Sequence, residues 1–212
     1  FVRDGGASGM WFSGLVQFTP RDAMWNSNYG AIGPGLPYAV GAQLATGKDR
    51  RGVVGPGGSP ILFPILELGT PVREDLPLIC IVAVDHAWGI EVAPYRANFG
   101  DNTSTPGAKW NAQVRLDTVA QGFGAHGEYV ERAEDIGPAV ERAIASGKPA
   151  LIHVEIDANA NSSFGGTPGI PGFMEFRTWY GEEGDNLGFA GTAPAAKAAD
   201  DEEPAMNKGS GY

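Results

Sequence analysis

The run Leu78–Val84 (LICIVAV) limits what this chain can fold into more than any other stretch. It is continuous, apolar and rich in β-branched residues. An amphipathic strand would alternate, so this one is read as buried on both faces, in the middle of a parallel sheet. Shorter runs of the same kind are Gly52–Val54, Glu128–Val130 and Ala150–Ile156 (ALIHVEI). Between them lie helical patterns: Leu36–Ala45, a segment opening at Asp117 with that residue as N-cap, and Ala133–Ser146, which stops at Gly147. Strands alternating with helices predict an α/β fold, a doubly wound and mainly parallel sheet flanked by helices. Ligands of such sheets bind beyond the carboxyl ends of the strands, so the loops after Val54 and Val84 are the first places to look.

Composition narrows the partners. With 25 acidic and 15 basic residues the net charge is −10, which repels phosphate backbones and anionic lipid and argues against nucleic acid and membrane. A phosphate ligand would therefore depend on backbone N–H groups, helix N-termini or a metal. The single cysteine, Cys80, lies inside the strongest strand and is expected to pack in the core; a lone thiol fits a reducing, cytoplasmic setting. The chain opens at Phe1 without an initiator methionine or a signal-peptide pattern, and reads as a fragment or a processed chain. Residues 1–156 form the expected globular unit. Residues 157–189 are loop-rich, with Trp179 and Tyr180 as an anchor or a small satellite cluster, and 190–212 has the composition of a disordered tail.

Three segments carry chemistry, the first running from Arg51 to Glu91. Gly55-Pro56-Gly57 follows one strand and Val84-Asp85-His86-Ala87-Trp88-Gly89 ends the next. A glycine turn there lets backbone N–H groups approach a diphosphate, and the neighbouring strand end brings a side-chain oxygen to the same place. Asn26–Ala39 (NSNYGAIGPGLPYA) and Asp4–Trp11 (DGGASGMW) complete the set. In order and spacing the three resemble the thiamine diphosphate enzymes of the acetohydroxyacid (acetolactate) synthase type, in their C-terminal, pyrophosphate-binding domain. The family carries a Gly-Asp-Gly turn followed by paired asparagines, and a Gly-x-Met-Gly-x-Gly-Leu-Pro segment.

That resemblance implies thiamine diphosphate and Mg²⁺ as cofactors. It places the bulky apolar residue that bends the cofactor at Ile32, and a backbone carbonyl for its pyrimidine amino group at Gly30. Gly57, Gly58 and Ser59 would hold the diphosphate; Asp85 and the carbonyl of Ala87 would hold the metal; Trp88 and Gly89 would lie at the cofactor. It further implies C–C bond making or breaking on a 2-oxo acid or 2-hydroxyacyl substrate. The activating glutamate would come from another domain, so a homo-oligomer or a separate pyrimidine-domain chain is implied.

The departures are specific. Pro56 stands at the metal-ligating aspartate and can neither ligate nor donate, and Ala7-Ser8 replaces a Gln-His pair that touches the diphosphate. Pro60, Pro64 and Pro71 interrupt a segment that should be helical. Three readings follow: a divergent site that still binds cofactor, an aspartate in the protein where proline is written, or a non-catalytic structural or regulatory subunit that has lost its metal. A dinucleotide-binding unit lacks support, because in this sequence no acidic residue follows the glycine turn at the end of the next short strand as ribose binding needs. Among the histidines, His153 reads as a core or edge residue, His126 as a solvated loop residue, and His86 as a neighbour of the cofactor site.

Overall fold

In a computed structural model the described residues are 1–6, 8–9, 24–25, 31–47, 52–55, 57–92, 107–110 and 114–158. All of them fall in the first of the chain's two units, Phe1–Ser162. Gly30, Pro56, Trp179, Tyr180 and the expected tail lie outside these residues.

The elements, in chain order, are β1 (Val2–Arg3), β2 (Met24–Trp25), α1 (Gly35–Ala45), β3 (Gly52–Gly55) and α2 (Gly58–Leu62). A 3-10 turn (Ile65–Leu68), α3 (Gly69–Arg73), β4 (Leu78–Val84), α4 (Leu116–Gly122), β5 (His126–Val130), α5 (Ala133–Ala145) and β6 (Ala150–Glu155) follow. The strands form one six-stranded sheet in the order β2-β1-β3-β4-β6-β5. Every pairing in it is parallel.

β4 sits inside the sheet because both of its faces are apolar. Cys80, Val82 and Val84 join Leu36, Leu68, Leu116 and Leu151 in one core. Ile79 turns the other way and joins Val130, Ala139, Ala143, Ile152 and Val154. The first core is covered by α1, the 3-10 turn and α4, the second by α5, so the sheet is wound on both sides. Cys80 is fully buried, and that burial pushes its thiol pKa up, out of any reactive range. α5 shows why its sequence chose a helix: Ala139 and Ala143 face the sheet four residues apart, Glu134 and Asp135 occupy the first turn, and Arg142 the last. Gly147, at φ +67°, ends it in the left-handed conformation that suits glycine.

The three prolines after the glycine turn explain the broken path between β3 and β4. Pro60 is the third residue of α2, Pro64 precedes the 3-10 turn, and Pro71 is the third residue of α3. The first N–H groups of a helix have no intrahelical acceptor, so a proline costs little there. One expected helix has become three short ones, each restarted so that its proline falls in a harmless place.

Two expectations at the other end of the sheet need correction. Asp117 does not cap α4; Arg115 takes the N-cap position, and Asp117, buried in the first turn, accepts from the Arg115 guanidinium at 2.9 and 2.7 Å. His126 is not a solvated loop residue but opens β5, half-buried, with Nε2 2.9 Å from Glu128. Pairing with β6 extends this strand two residues earlier than its weak pattern indicated, because His126 lies opposite Ala150 in the ladder.

Candidate functional site

The carboxyl ends of four strands meet at one small cleft, open to solvent. Gly6 and Ser8 come from beyond β1, Gly57 and Gly58 from beyond β3, Asp85 and Gly89 from beyond β4, and Ile156 from beyond β6. The two central tips are tied: Gly57 makes a parallel bridge to Ala83, continuing the β3–β4 pairing past the glycine turn. α2 starts at Gly58, and a Cβ there would lie 3.2 Å from the Val84 Cα. Only a glycine lets the helix start press this closely on the end of β4. The cleft is lined by glycine backbone, the Ser8 hydroxyl and a single carboxylate, Asp85, with no lysine or arginine among the described lining residues.

Ser8 is the telling side chain. It is 8% exposed, and its Oγ is buried without a hydrogen-bond partner among the described residues. A Cβ added to Gly57 would sit 3.0 Å from that oxygen. Buried hydroxyls are normally satisfied, so an unmatched one facing a glycine-lined hollow marks a place for a polar ligand.

The loop before α1 is fixed from β1. The Asp4 carboxylate, 1% exposed, accepts from Gly33 N–H at 3.0 Å and Gly5 N–H at 2.7 Å through one oxygen, and from Gly35 N–H at 2.8 Å through the other. Gly33 takes φ +106°, which a side chain would strain, and Gly35 leaves no room for a Cβ beside Asp4. Asp4 thereby caps α1 from a distance and sets the height of Ile32.

Residues 4–154 match the family described as thiamine pyrophosphate enzyme, C-terminal TPP binding domain. The chain belongs to this family. The TPP-binding domain is 31% identical over 157 residues to an acetolactate synthase large subunit of Mycobacterium tuberculosis, covering 74% of this chain and 28% of that protein. It is 29% identical over 159 residues to a 2-hydroxyacyl-CoA lyase of Oryza sativa subsp. japonica, covering 71% of this chain and 26% of the other. The fold matches a crystal structure of benzoylformate decarboxylase from Polynucleobacter necessarius with a TM-score of 0.66 at 20% identity, over 74% of this chain and 30% of that one. The chain thus spans little more than a quarter of the length of the curated relatives it matches.

Of the residues that sequence reading singled out in the TPP-binding domain, the structure gathers Gly57, Gly58, Asp85 and Gly89 around the cleft. Ser59 is the second residue of α2, beside it. Ala87 is buried, donates its N–H to Asp85 Oδ1 at 3.2 Å and bridges Lys109. Trp88 is not among the lining residues; its ring meets Phe63 edge-on at 5.6 Å. Ile32 is half-buried ahead of Gly33 and also does not line the cleft. Asp4, Glu155 and Tyr129 were not singled out. The available signal was, for Glu155, an acidic residue at the carboxyl end of the predicted strand Ala150–Ile156, and, for Asp4, its place ahead of Gly5-Gly6.

Behind Asp85 lies a second polar group. Glu155, at the end of β6, accepts from His86 Nε2 at 2.9 and 3.0 Å, from His153 Nε2 at 3.1 Å and from the Tyr129 hydroxyl at 3.0 Å. One ligating atom from each of His86, His153 and Glu155 lies within 4.8 Å of the others, a grouping that could hold a metal. The Leu116 N–H argues otherwise. It donates to His153 Nδ1 at 3.3 Å, which puts the ring proton of a neutral His153 on Nε2 and leaves that nitrogen no lone pair for an ion. The cluster is a hydrogen-bond hub. Burial alone would raise the Glu155 carboxyl, but the bonds from His86 and Tyr129 leave it below the usual carboxylate range. Burial and the bond to Glu155 push the Tyr129 phenol up to about 12.

His153 supplies a pH dependence. Burial lowers its pKa against the pull of Glu155, so the folded state disfavours the imidazolium. The unfolded chain, with a histidine pKa of about 6.5, binds the proton more readily. The stability contributed by neutral His153 is therefore full above about pH 6.5 and is lost as pH falls through the lower folded value. Urea midpoints should drop between pH 7.5 and pH 5. His153→Gln should flatten that drop after subtraction of the other titrating groups; an unchanged slope would remove His153 as its source.

Proposed function

We propose that residues 1–156 supply the diphosphate- and metal-binding half of a thiamine diphosphate- and Mg²⁺-dependent site that makes or breaks C–C bonds in 2-oxo acids or 2-hydroxyacyl compounds. The observation that carries this reading is the buried, unpartnered Ser8 hydroxyl facing Gly57 across the cleft that also holds Asp85. A diphosphate is acceptor-rich: it would satisfy the hydroxyl and accept from backbone N–H groups at Gly57, Gly58 and Ser59. Glycine at 57 and 58 gives it close access to the backbone.

The residues also fit a Mg²⁺. That ion keeps several waters and is commonly held by one or two carboxylates together with substrate phosphates, so a single Asp85 with the Ala87 carbonyl is a sufficient protein share. In this acidic chain, with no basic residue among the described lining residues, the ion would also neutralise the diphosphate. When bound, thiamine diphosphate supplies the nucleophile and the electron sink for attack on a carbonyl carbon. The chain's own part is to anchor the diphosphate, orient the metal through Asp85 and place Ile32 under the cofactor ring. The glutamate that activates the pyrimidine would come from another domain, so an oligomer or a partner chain would complete the site. The substrate class rests on the relatives, whose names are acetolactate synthase and 2-hydroxyacyl-CoA lyase.

Thiamine diphosphate with Mg²⁺ should raise the melting temperature of the assembled protein in a concentration-dependent way, and neither should do so fully alone. A flat response to both together would favour a non-catalytic subunit that keeps the fold.

A further inference from the structure

The backbone at His86 is left-handed, at φ +52°, which is uncommon for a non-glycine residue although histidine takes it more readily than most, and its surroundings hold it there. Two contacts do so. The His86 carbonyl accepts from Trp110 N–H at 2.9 Å, and its ring nitrogen Nε2 bonds both oxygens of Glu155 at 2.9 and 3.0 Å. The residue so held stands immediately after Asp85, the one carboxylate of the cleft, and immediately before Ala87. Glu155 in turn is fixed by His153 and Tyr129, from β6 and β5. A chain of hydrogen bonds thus runs from the rear strands of the sheet to the tip of β4.

We infer that Glu155 is a positioning residue: through the His86 ring it sets the backbone turn that follows Asp85 at the edge of the cleft, and so tunes the cleft for a divalent cation. The inference rests on the proposed cofactor reading and adds to it two residues that never touch the cation. The chemistry is selective in sign. Nε2–H of His86 must donate, because the Glu155 carboxylate it bonds can only accept. A carboxylate accepts that proton with either oxygen. A glutamine offers one acceptor oxygen, already claimed by His153 and Tyr129, and turns an N–H₂ toward the histidine.

The test is the Mg²⁺ midpoint for thiamine diphosphate binding, followed by thermal shift and by intrinsic tryptophan fluorescence, in the full chain in its assembled state. Glu155→Gln should raise that midpoint by about 10- to 100-fold, the usual effect of losing a group that orients a metal ligand. The melting temperature without ligands should stay near that of the unsubstituted protein. His86→Asn, which tolerates the left-handed backbone but cannot reach Glu155, should produce a similar rise. The double variant should rise no further than either single one, since both break the same link. If Glu155→Gln lowers the ligand-free melting temperature, His86→Asn carries the test alone. An unchanged midpoint in both variants, or additive rises in the double one, would overturn the inference while leaving cofactor binding intact. A protein with no Mg²⁺ midpoint before substitution would overturn the cofactor reading, and this inference with it.

Discussion

Asp85→Ala should raise the Mg²⁺ concentration needed to bind thiamine diphosphate by about a thousandfold, and with it abolish turnover at millimolar metal. The reason is charge. Asp85 is the only carboxylate among the described residues of the cleft, and no lysine or arginine there offsets the diphosphate. A unit charge pair near 4 Å at an effective dielectric of about 20 interacts by roughly 4 kcal/mol, which is close to three decades in affinity. Asp85→Asn removes the same charge but keeps an oxygen ligand, so it should lose nearly as much. Isothermal titration with Mg²⁺ at saturating thiamine diphosphate measures both variants. A much smaller loss in Asp85→Asn would mean that the position acts as an oxygen ligand rather than through its charge, and an unaffected Asp85→Ala would place the metal elsewhere.

Gly127→Ala should be the most damaging single methyl in the rear half of the sheet. A Cβ at Gly127 would run into the carbonyl of Asp117 in the first turn of α4 and lie 2.9 Å from Gln121 Cγ. Neither side can yield. β5 is pinned to β6 through the Gly127–Leu151 register, and α4 is held by the Leu116 N–H on His153 and by the buried side chains of Leu116 and Ala120. Forced overpacking of this kind costs about 2–3 kcal/mol, which for a chain of this size lowers the melting temperature by roughly 5–10 °C. Gly41→Ala is the control. It lies inside α1 with nothing within 4 Å of an added Cβ, so it should stabilise by up to about 1 kcal/mol. Denaturation midpoints of the two variants should move in opposite directions; a Gly127→Ala protein as stable as the parent would show that β5 and α4 are free to separate.

What could be read from the sequence follows from which interactions are local. Strand and helix identity came from runs such as LICIVAV and from the amphipathic Ala133–Ser146 pattern, because burial on two faces or one leaves a periodic trace along the chain. The glycines at 57 and 58 and the aspartate at 85 were legible for a related reason: a parallel sheet puts its ligands at strand ends, and those ends are marked by turn residues. The three prolines announced a broken helix, although not where it would restart.

Other features had no such trace. Nothing near Asp4 in the sequence says that its carboxylate caps a helix beginning at Gly35, since the two are joined only when β1 and α1 pack. The same holds for Asp117, which pairs with Arg115 and does not cap α4, and for Ser8, whose isolation depends on the cleft closing around it. Glu155 shows the limit most plainly. Its partners His86, Tyr129 and His153 come from the end of β4, from β5 and from β6, and only the strand order β4-β6-β5 sets them side by side. Periodicity and turn chemistry, being local, fixed the layered α/β plan and the end of the sheet where a ligand would bind. Charge and hydrogen-bond pairing act across space, so which carboxylate caps, which one faces the cleft and which one holds its neighbour were decided by the tertiary structure alone.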